Sequence, residues 1–224
     1  MVKRAHVLVA LAVVALLVYV AMWVGWTAPW RWLADVDTST LAAAHRVGED
    51  DHAWVTFWNG LCTVFSPLVL RVVAVGLIVY AFAKRRRRVG LFLLLCAVLS
   101  GPLTEFAKWL ADRPRPDTAM VHASSTSFPS GHALGVMACV LALTVVAWPL
   151  IRPALRPLVV VLAVLVIVAV GVGRVALNVH HASDVVAGWA LGYAWFVLCL
   201  PVLGARAGVS RSAAGTPVAP GTAR

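Results

Sequence analysis

Polar and apolar positions fall in long blocks along this chain, not at a strand or surface-helix period. Six blocks meet or approach the roughly 20 apolar residues needed to cross a bilayer core. The first runs from Val2 to Trp26 behind Lys3-Arg4, and Trp54 to Ala83 contains the second. Val89 to about Leu110 is the third, and His132 to Trp148 is the fourth and shortest. Leu158 to about Asn178 is the fifth, and Asp184 to Leu203 is the sixth. A secretory signal would have an apolar region of roughly 7–15 residues. The first block is longer and ends in Met22-Trp23-Val24-Gly25-Trp26, an interfacial aromatic anchor, so it is read as a retained helix. The stretch from 27 to about 58 holds Asp35, Asp37, Glu49, Asp50 and Asp51 among Trp30, Trp32, Trp54 and Trp58. Acids with tryptophans suggest a loop and short helix on the membrane surface. The pattern predicts an all-α integral membrane protein with a six-helix domain over 1–203. The tail, 204–224, is rich in Ala, Gly, Ser and Pro and is expected to be disordered.

Composition sharpens this picture. The chain is 62% hydrophobic and 12% charged, whereas soluble domains lie near about 45–50% and about 25%. A net charge of +10 would suggest nucleic acid in a soluble protein. Here no soluble domain is left to bind it, and the cations sit in short loops between spans, where they set orientation. With the N-terminus cytoplasmic, the inside collects Lys3, Arg4, Lys84 to Arg88, Arg152, Arg156, Arg206, Arg211 and Arg224, twelve of the 19 Lys and Arg. The loops 108–132 and 174–184 then share the extracytoplasmic face, and both termini are cytoplasmic. Cys62, Cys96, Cys139 and Cys199 lie in or beside spans without paired spacing and read as small buried hydrophobes.

The chemistry gathers at the ends of these spans. Lys108 and Arg115 flank the exit from the third span, and Arg174 lies near the end of the fifth. Any one of these cations alone reads as a side chain snorkelling to lipid headgroups. Together they suit phosphate, which guanidinium grips in bidentate fashion and lysine meets as a point charge. Pro129-Ser130-Gly131-His132 stands directly before an apolar helix. Ser130 can cap that helix, and Gly131 lets backbone N–H groups approach an anion. His180 and Asp184 are spaced i,i+4, which on a helix puts them on one face and turns His181 off it. A carboxylate on one ring nitrogen leaves the other free to attack.

These three blocks resemble the signature of the type 2 phosphatidic acid phosphatase superfamily. Its pattern is Lys, six residues, Arg-Pro; Pro-Ser-Gly-His; and Ser-Arg, five residues, His, three residues, Asp. The matching residues are Lys108, Arg115-Pro116, Pro129 to His132, Arg174, His180 and Asp184, a motif core of 108–184. Gly173 stands where the family has serine. The resemblance implies a phosphatase site at the extracytoplasmic helix ends. Lys108, Arg115 and Arg174 would hold the phosphoryl oxygens, helped by Ser130 and Gly131. His180 would attack phosphorus to give a phosphohistidine, Asp184 would orient it, and His132 would serve as acid and then base. No metal or other cofactor is implied. The expected partners are the bilayer and a lipid phosphate or diphosphate, undecaprenyl diphosphate first and phosphatidic acid or phosphatidylglycerol phosphate second.

A lipid phosphotransferase would use the same residues. A transporter would scatter its charges through the spans, whereas here they cluster at one face. Two charges fall outside the motif. Arg71, near the middle of the second span, is expected to reach Glu105 and brace the second span against the third. Asp112 and Asp117 read as solvated loop residues.

Overall fold

The computed structural model describes residues 2–204, with side chains from His6 onward. The expected tail, 204–224, lies outside the described residues except for Gly204. Helix α1 spans Val2–Thr27. Helix α2, Arg31–Gly48, follows with Leu33, Asp37 and Leu41 buried along one stripe at i, i+4 and i+8. The expected loop and short surface helix are thus a full amphipathic helix plus the start of the next. Thr38, Ser39 and Thr40 would favour a turn on propensity, but their hydroxyls bond back to carbonyls three or four residues earlier.

Helix α3, His52–Val64, is capped by Asp51, whose carboxylate accepts from the Ala53 and Trp54 amides. It stops at Phe65, and Ser66 caps α4, Pro67–Ala83. Pro67 has no N–H to give a continuing helix, and at the first helical position it needs none. The second span is therefore broken in two. The third also has a defect: α5, Arg87–Leu93, passes through a π-turn, Leu94–Val98, into α6, Ser100–Ala111. Helix α7 is Gly131–Ala147, α8 is Arg156–Ala176, α9 is Ala182–Cys199 and α10 is Pro201–Gly204. Six stretches are long and apolar enough to cross a membrane: His6–Thr27, His52–Ala83, Arg87–Ala111, Gly131–Leu150, Pro153–Ala176 and Ala182–Gly204.

Helix α9 lies between α1 and α7. Gly188 and Gly192 form a small-residue stripe that admits the α7 backbone: a Cβ on either would lie 2.6 Å from the Ser130 or Leu134 carbonyl oxygen. This close approach brings the start of α9 against the Pro-Ser-Gly-His turn, where the Ser130 amide donates to the Asp184 carbonyl at 2.9 Å. Val13, Leu17, Val72, Val79, Val161 and Leu165 face outward, as hydrocarbon permits for helices that satisfy their own backbone. All four cysteines are buried and free.

Candidate active site

Each site loop leaves its helix through a residue with positive φ. Asp112 (φ 42°) ends α6, and Asn178 (φ 53°) follows α8. Asp and Asn tolerate the left-handed region better than other side chains. The two loops are then stitched together. The Met120 amide donates to the Leu177 carbonyl, and within the first loop the Ser127 amide donates to the Arg113 carbonyl. Asn178 Nδ2 donates to Thr118 Oγ1 at 2.9 Å and to the Leu41 carbonyl of α2 at 3.2 Å.

A cavity of about 450 Å³ opens between them, lined by Lys108, Arg115, Gly131, His132, Arg174 and His180 among others. Lys108 and Arg174 are buried, 5% and 7% exposed, and Arg115 is half-buried. Lys108 Nζ donates to the Thr126 carbonyl. Arg115 donates to the Ser125 carbonyl at 2.5 Å and the Val179 carbonyl at 2.6 Å. Arg174 Nε is buried with no hydrogen-bond partner among the described residues. Among the described residues no carboxylate forms an ion pair with Lys108, Arg115 or Arg174.

His180 is almost completely buried. Its Nε2 lies 3.2 Å from Arg115 Nη1. Arginine can only donate, so Nε2 carries the lone pair and Nδ1 the proton. Nδ1 faces Ser127 Oγ at 3.4 Å and Asp184 Oδ2 at 3.6 Å. Ser127 donates in turn to the same carboxylate oxygen at 2.5 Å. Burial first, and the Arg174 and Arg115 charges after it, pull the imidazole down to about 3 against the opposing pull of Asp184. The ring is therefore neutral near pH 7. Burial, then the Arg174 charge, also lowers the Arg115 guanidinium from its usual value.

The helical i,i+4 argument for His180 does not survive. Helix α9 starts at Ala182, so His180 precedes it, and His181 is the N-cap with Asp184 three residues on. The Asp184 carboxylate accepts from the His181 amide at 2.9 Å, and His181 Nδ1 lies 3.2 Å from it, nearer than the His180 ring. What separates the two histidines is access: His180 lines the cavity and His181 does not.

Ser130 and Asp184 stand behind the cavity wall. The Ser130 hydroxyl accepts from the Ala133 amide at 3.5 Å and its own amide is held by Asp184. The Gly131 and His132 amides, at the first two positions of α7, are left to face an anion. Asp112 and Asp117 are exposed, as expected. The expected Arg71–Glu105 pair is absent. Arg71 Nε donates to the Ala97 carbonyl at 3.3 Å and Nη2 to Ser100 Oγ at 3.2 Å, because the π-turn brings those acceptors to it.

Sequence reasoning missed Asp37, Arg113, Ser127 and Ser183. Arg113 Nη1 donates to Asp184 Oδ1 and Ser183 Oγ, both at 2.7 Å, and Nη2 donates to Asp37 Oδ2 at 2.9 Å. Asp37 also accepts from the Ser183 amide at 2.9 Å and hydroxyl at 2.6 Å. One signal existed for Asp37: a carboxylate in line with Leu33 and Leu41 on an apolar stripe requires a buried partner. Gly173, the departure from the motif, packs against α3. A Cβ there would lie 2.7 Å from Cys62 Sγ and 2.9 Å from Trp58 Cε3. Among the described residues no group of three or more His, Cys, Asp or Glu is placed to hold a metal ion.

A family model described as the PAP2 superfamily matches residues 89–207. Over 145 residues the chain is 36% identical to phosphatidylglycerophosphatase B of Bacillus subtilis (strain 168), covering 62% of this chain and 68% of that one. It is 33% identical over 132 residues to a lipid A 1-phosphatase of Rhizobium etli, covering 54% of this chain and 53% of the relative. It is 35% identical over 118 residues to an undecaprenyl-diphosphatase of Sulfolobus acidocaldarius, covering 49% of this chain and 52% of the relative. The chain thus spans about half the length of those last two relatives. A crystal structure of a transmembrane PAP2 type phosphatidylglycerolphosphate phosphatase from Bacillus subtilis is similar with TM-score 0.73 and 26% identity, covering 90% of this chain and 98% of that chain.

Proposed function

The chain belongs to the PAP2 superfamily and is a membrane lipid phosphatase; from that premise we propose that it removes the terminal phosphate of a lipid mono- or diphosphate through a phosphohistidine on His180, without a metal. One observation carries the reading. Lys108, Arg115 and Arg174 line one cavity with the neutral His180 imidazole and, among the described residues, have no carboxylate partners. Cations held in place without counter-charges favour an anion, and most of all the charge that gathers on the equatorial oxygens during phosphoryl transfer.

The substrate phosphate draws Arg115 Nη1 away from His180 Nε2 and frees the lone pair. Nε2 attacks phosphorus, and positive charge grows on the ring. Asp184 stabilises that charge directly and through Ser127, whose hydroxyl links Nδ1 to the carboxylate. The Gly131 and His132 amides and the three cations hold the oxygens. His132, on the same wall of the cavity, protonates the leaving oxygen and then takes a proton from the water that releases phosphate. Ser130 acts by shaping the turn.

The cation distribution supports a site on the extracytoplasmic face, read with a six-helix domain over 1–203 and a cytoplasmic tail. Phosphatidylglycerol phosphate stands beside undecaprenyl diphosphate as substrate, because the relative with the fuller coverage is named for the former. Phosphate release by purified protein in detergent, with chelator present, across lipid mono- and diphosphates tests the reading. Release that His180→Ala abolishes is expected. Strict dependence on a divalent cation, or no release from any lipid phosphate, would overturn it.

A further inference from the structure

The cavity does not end at His132. Its lining continues down α6 through Thr104 and Gly101 to Arg71 on α4. Helix α7 runs from the Pro-Ser-Gly-His turn into the membrane, so Gly135 lies about one turn deeper than His132. A Cβ on Gly135 would lie 3.2 Å from Arg71 Nη2, and one on Gly101 would lie 3.4 Å from Arg71 Cζ. Two positions without side chains thus leave room for a guanidinium on the membrane side of His132.

Arg71 is fixed there and only partly used. Its Nε is held by the Ala97 carbonyl and its Nη2 by Ser100 Oγ, itself bonded to Ala97 at 2.7 Å. A guanidinium has five N–H donors, and these bonds use two. Glu105 lines the same cavity but forms no ion pair with Arg71. Among the described residues no carboxylate pairs with Arg71, and a half-buried cation within a span is costly unless an anion reaches it.

Direction decides which anion. In an in-line displacement the leaving oxygen departs on the side away from the nucleophile. With His180 attacking and His132 as acid, the leaving group lies beyond His132, toward Arg71. We propose that Arg71 is a second-phosphate subsite, binding a phosphate of the leaving group rather than the one transferred. The inner phosphate of a lipid diphosphate and the phosphodiester of a glycerophospholipid phosphate both offer that group, and a simple lipid monophosphate does not. This rests on the phosphatase reading above and narrows it to lipids bearing two phosphates.

Diacylglycerol diphosphate and phosphatidic acid with identical acyl chains differ only in that second phosphate. Both would be assayed with wild type, Arg71→Gln and Arg71→Lys in the same detergent. Loss of a charged hydrogen-bond donor should lower kcat/KM for the diphosphate about ten- to hundredfold in Arg71→Gln. The fall for the monophosphate should stay within about threefold, and Arg71→Lys should fall between wild type and Arg71→Gln on the diphosphate. The ratio of the two kcat/KM values within one preparation is independent of how much protein folded, so poor yield does not obscure it. An unchanged ratio in both variants, with wild type active on both lipids, would overturn the subsite and leave the phosphatase standing. Wild type inactive on these two and on every other lipid mono- and diphosphate would remove the phosphatase reading and the subsite with it.

Discussion

Asp37 and Asp184 share one guanidinium: Arg113 reaches Asp37 Oδ2 at 2.9 Å and Asp184 Oδ1 at 2.7 Å. The two carboxylates are 3% and 0% exposed in their side chains. A helix outside the signature region is thereby tied to the residue behind the proposed nucleophile. Planar guanidinium can bridge two carboxylates, and an ammonium cannot do so with the same geometry. The Arg113 guanidinium also lies 4.9 Å from the Trp26 ring, which joins the end of α1 to the same node.

Arg113→Ala leaves two buried carboxylates without their cation, and such losses cost about 3–5 kcal/mol. A clear fall in Tm in detergent is expected. Asp37→Asn keeps shape and removes charge. It should lower kcat roughly tenfold with KM nearly unchanged, the pattern of a group acting on the transition state through others. A fall in activity matched by the fall in folded protein, with kcat per folded molecule unchanged, would make Asp37 purely structural.

His180 and His181 both approach Asp184, so activity must separate them. Quenched turnover should trap an acid-labile phosphoryl adduct that His180→Ala abolishes together with activity. His181→Ala removes a ring outside the cavity and should retain activity within about tenfold, the cost of one disturbed hydrogen bond. An adduct persisting in His180→Ala would assign the nucleophile elsewhere.

The His180 imidazole is pulled from 6.5 down to about 3 in the folded chain. Between those values the unfolded chain binds a proton that the folded chain does not. Stability from this group is thus complete above about pH 6.5 and is lost as pH falls toward 3. Ring NMR shifts of His180 should stay those of a neutral imidazole from pH 8 to pH 5, and Tm should decline with acidification. A midpoint near pH 6.5 would contradict a buried, neutral imidazole as the proposed nucleophile.

Restoring the family serine should not help. In Gly173→Ser the new Cβ meets Cys62 Sγ and Trp58, and overpacking typically costs about 1–3 kcal/mol. Tm should fall, and adding Cys62→Ala should recover part of the loss. A more stable single variant would show that α3 yields freely.

Orientation can be read with thiols, since the native cysteines are buried. Ala119 and Ala154 are both exposed. Ala119→Cys should react with an impermeant reagent in intact cells and Ala154→Cys should not. The reverse pattern would move the site to the cytoplasmic face.

The six spans were legible in the sequence because hydrocarbon imposes one requirement on every one of them, about 20 apolar residues with a self-satisfied backbone. Lys108, Arg115, Arg174, His132 and His180 were legible because each is a charged or reactive side chain at a span end in a recognisable spacing. The tertiary structure alone decided their partners. It placed Asp184 at the third position of α9 with His181 as its cap, where spacing had suggested a continuous helix through His180. It sent Arg71 to Ala97 and Ser100 through a π-turn with no warning in the pattern. It brought Asp37, from a stretch read as a loop and short surface helix, to Arg113. Apolar burial acts residue by residue and leaves a periodic trace in the chain. A buried charge is stabilised by whichever opposite charge the packed helices carry to within about 3 Å, and that distance is a property of the fold.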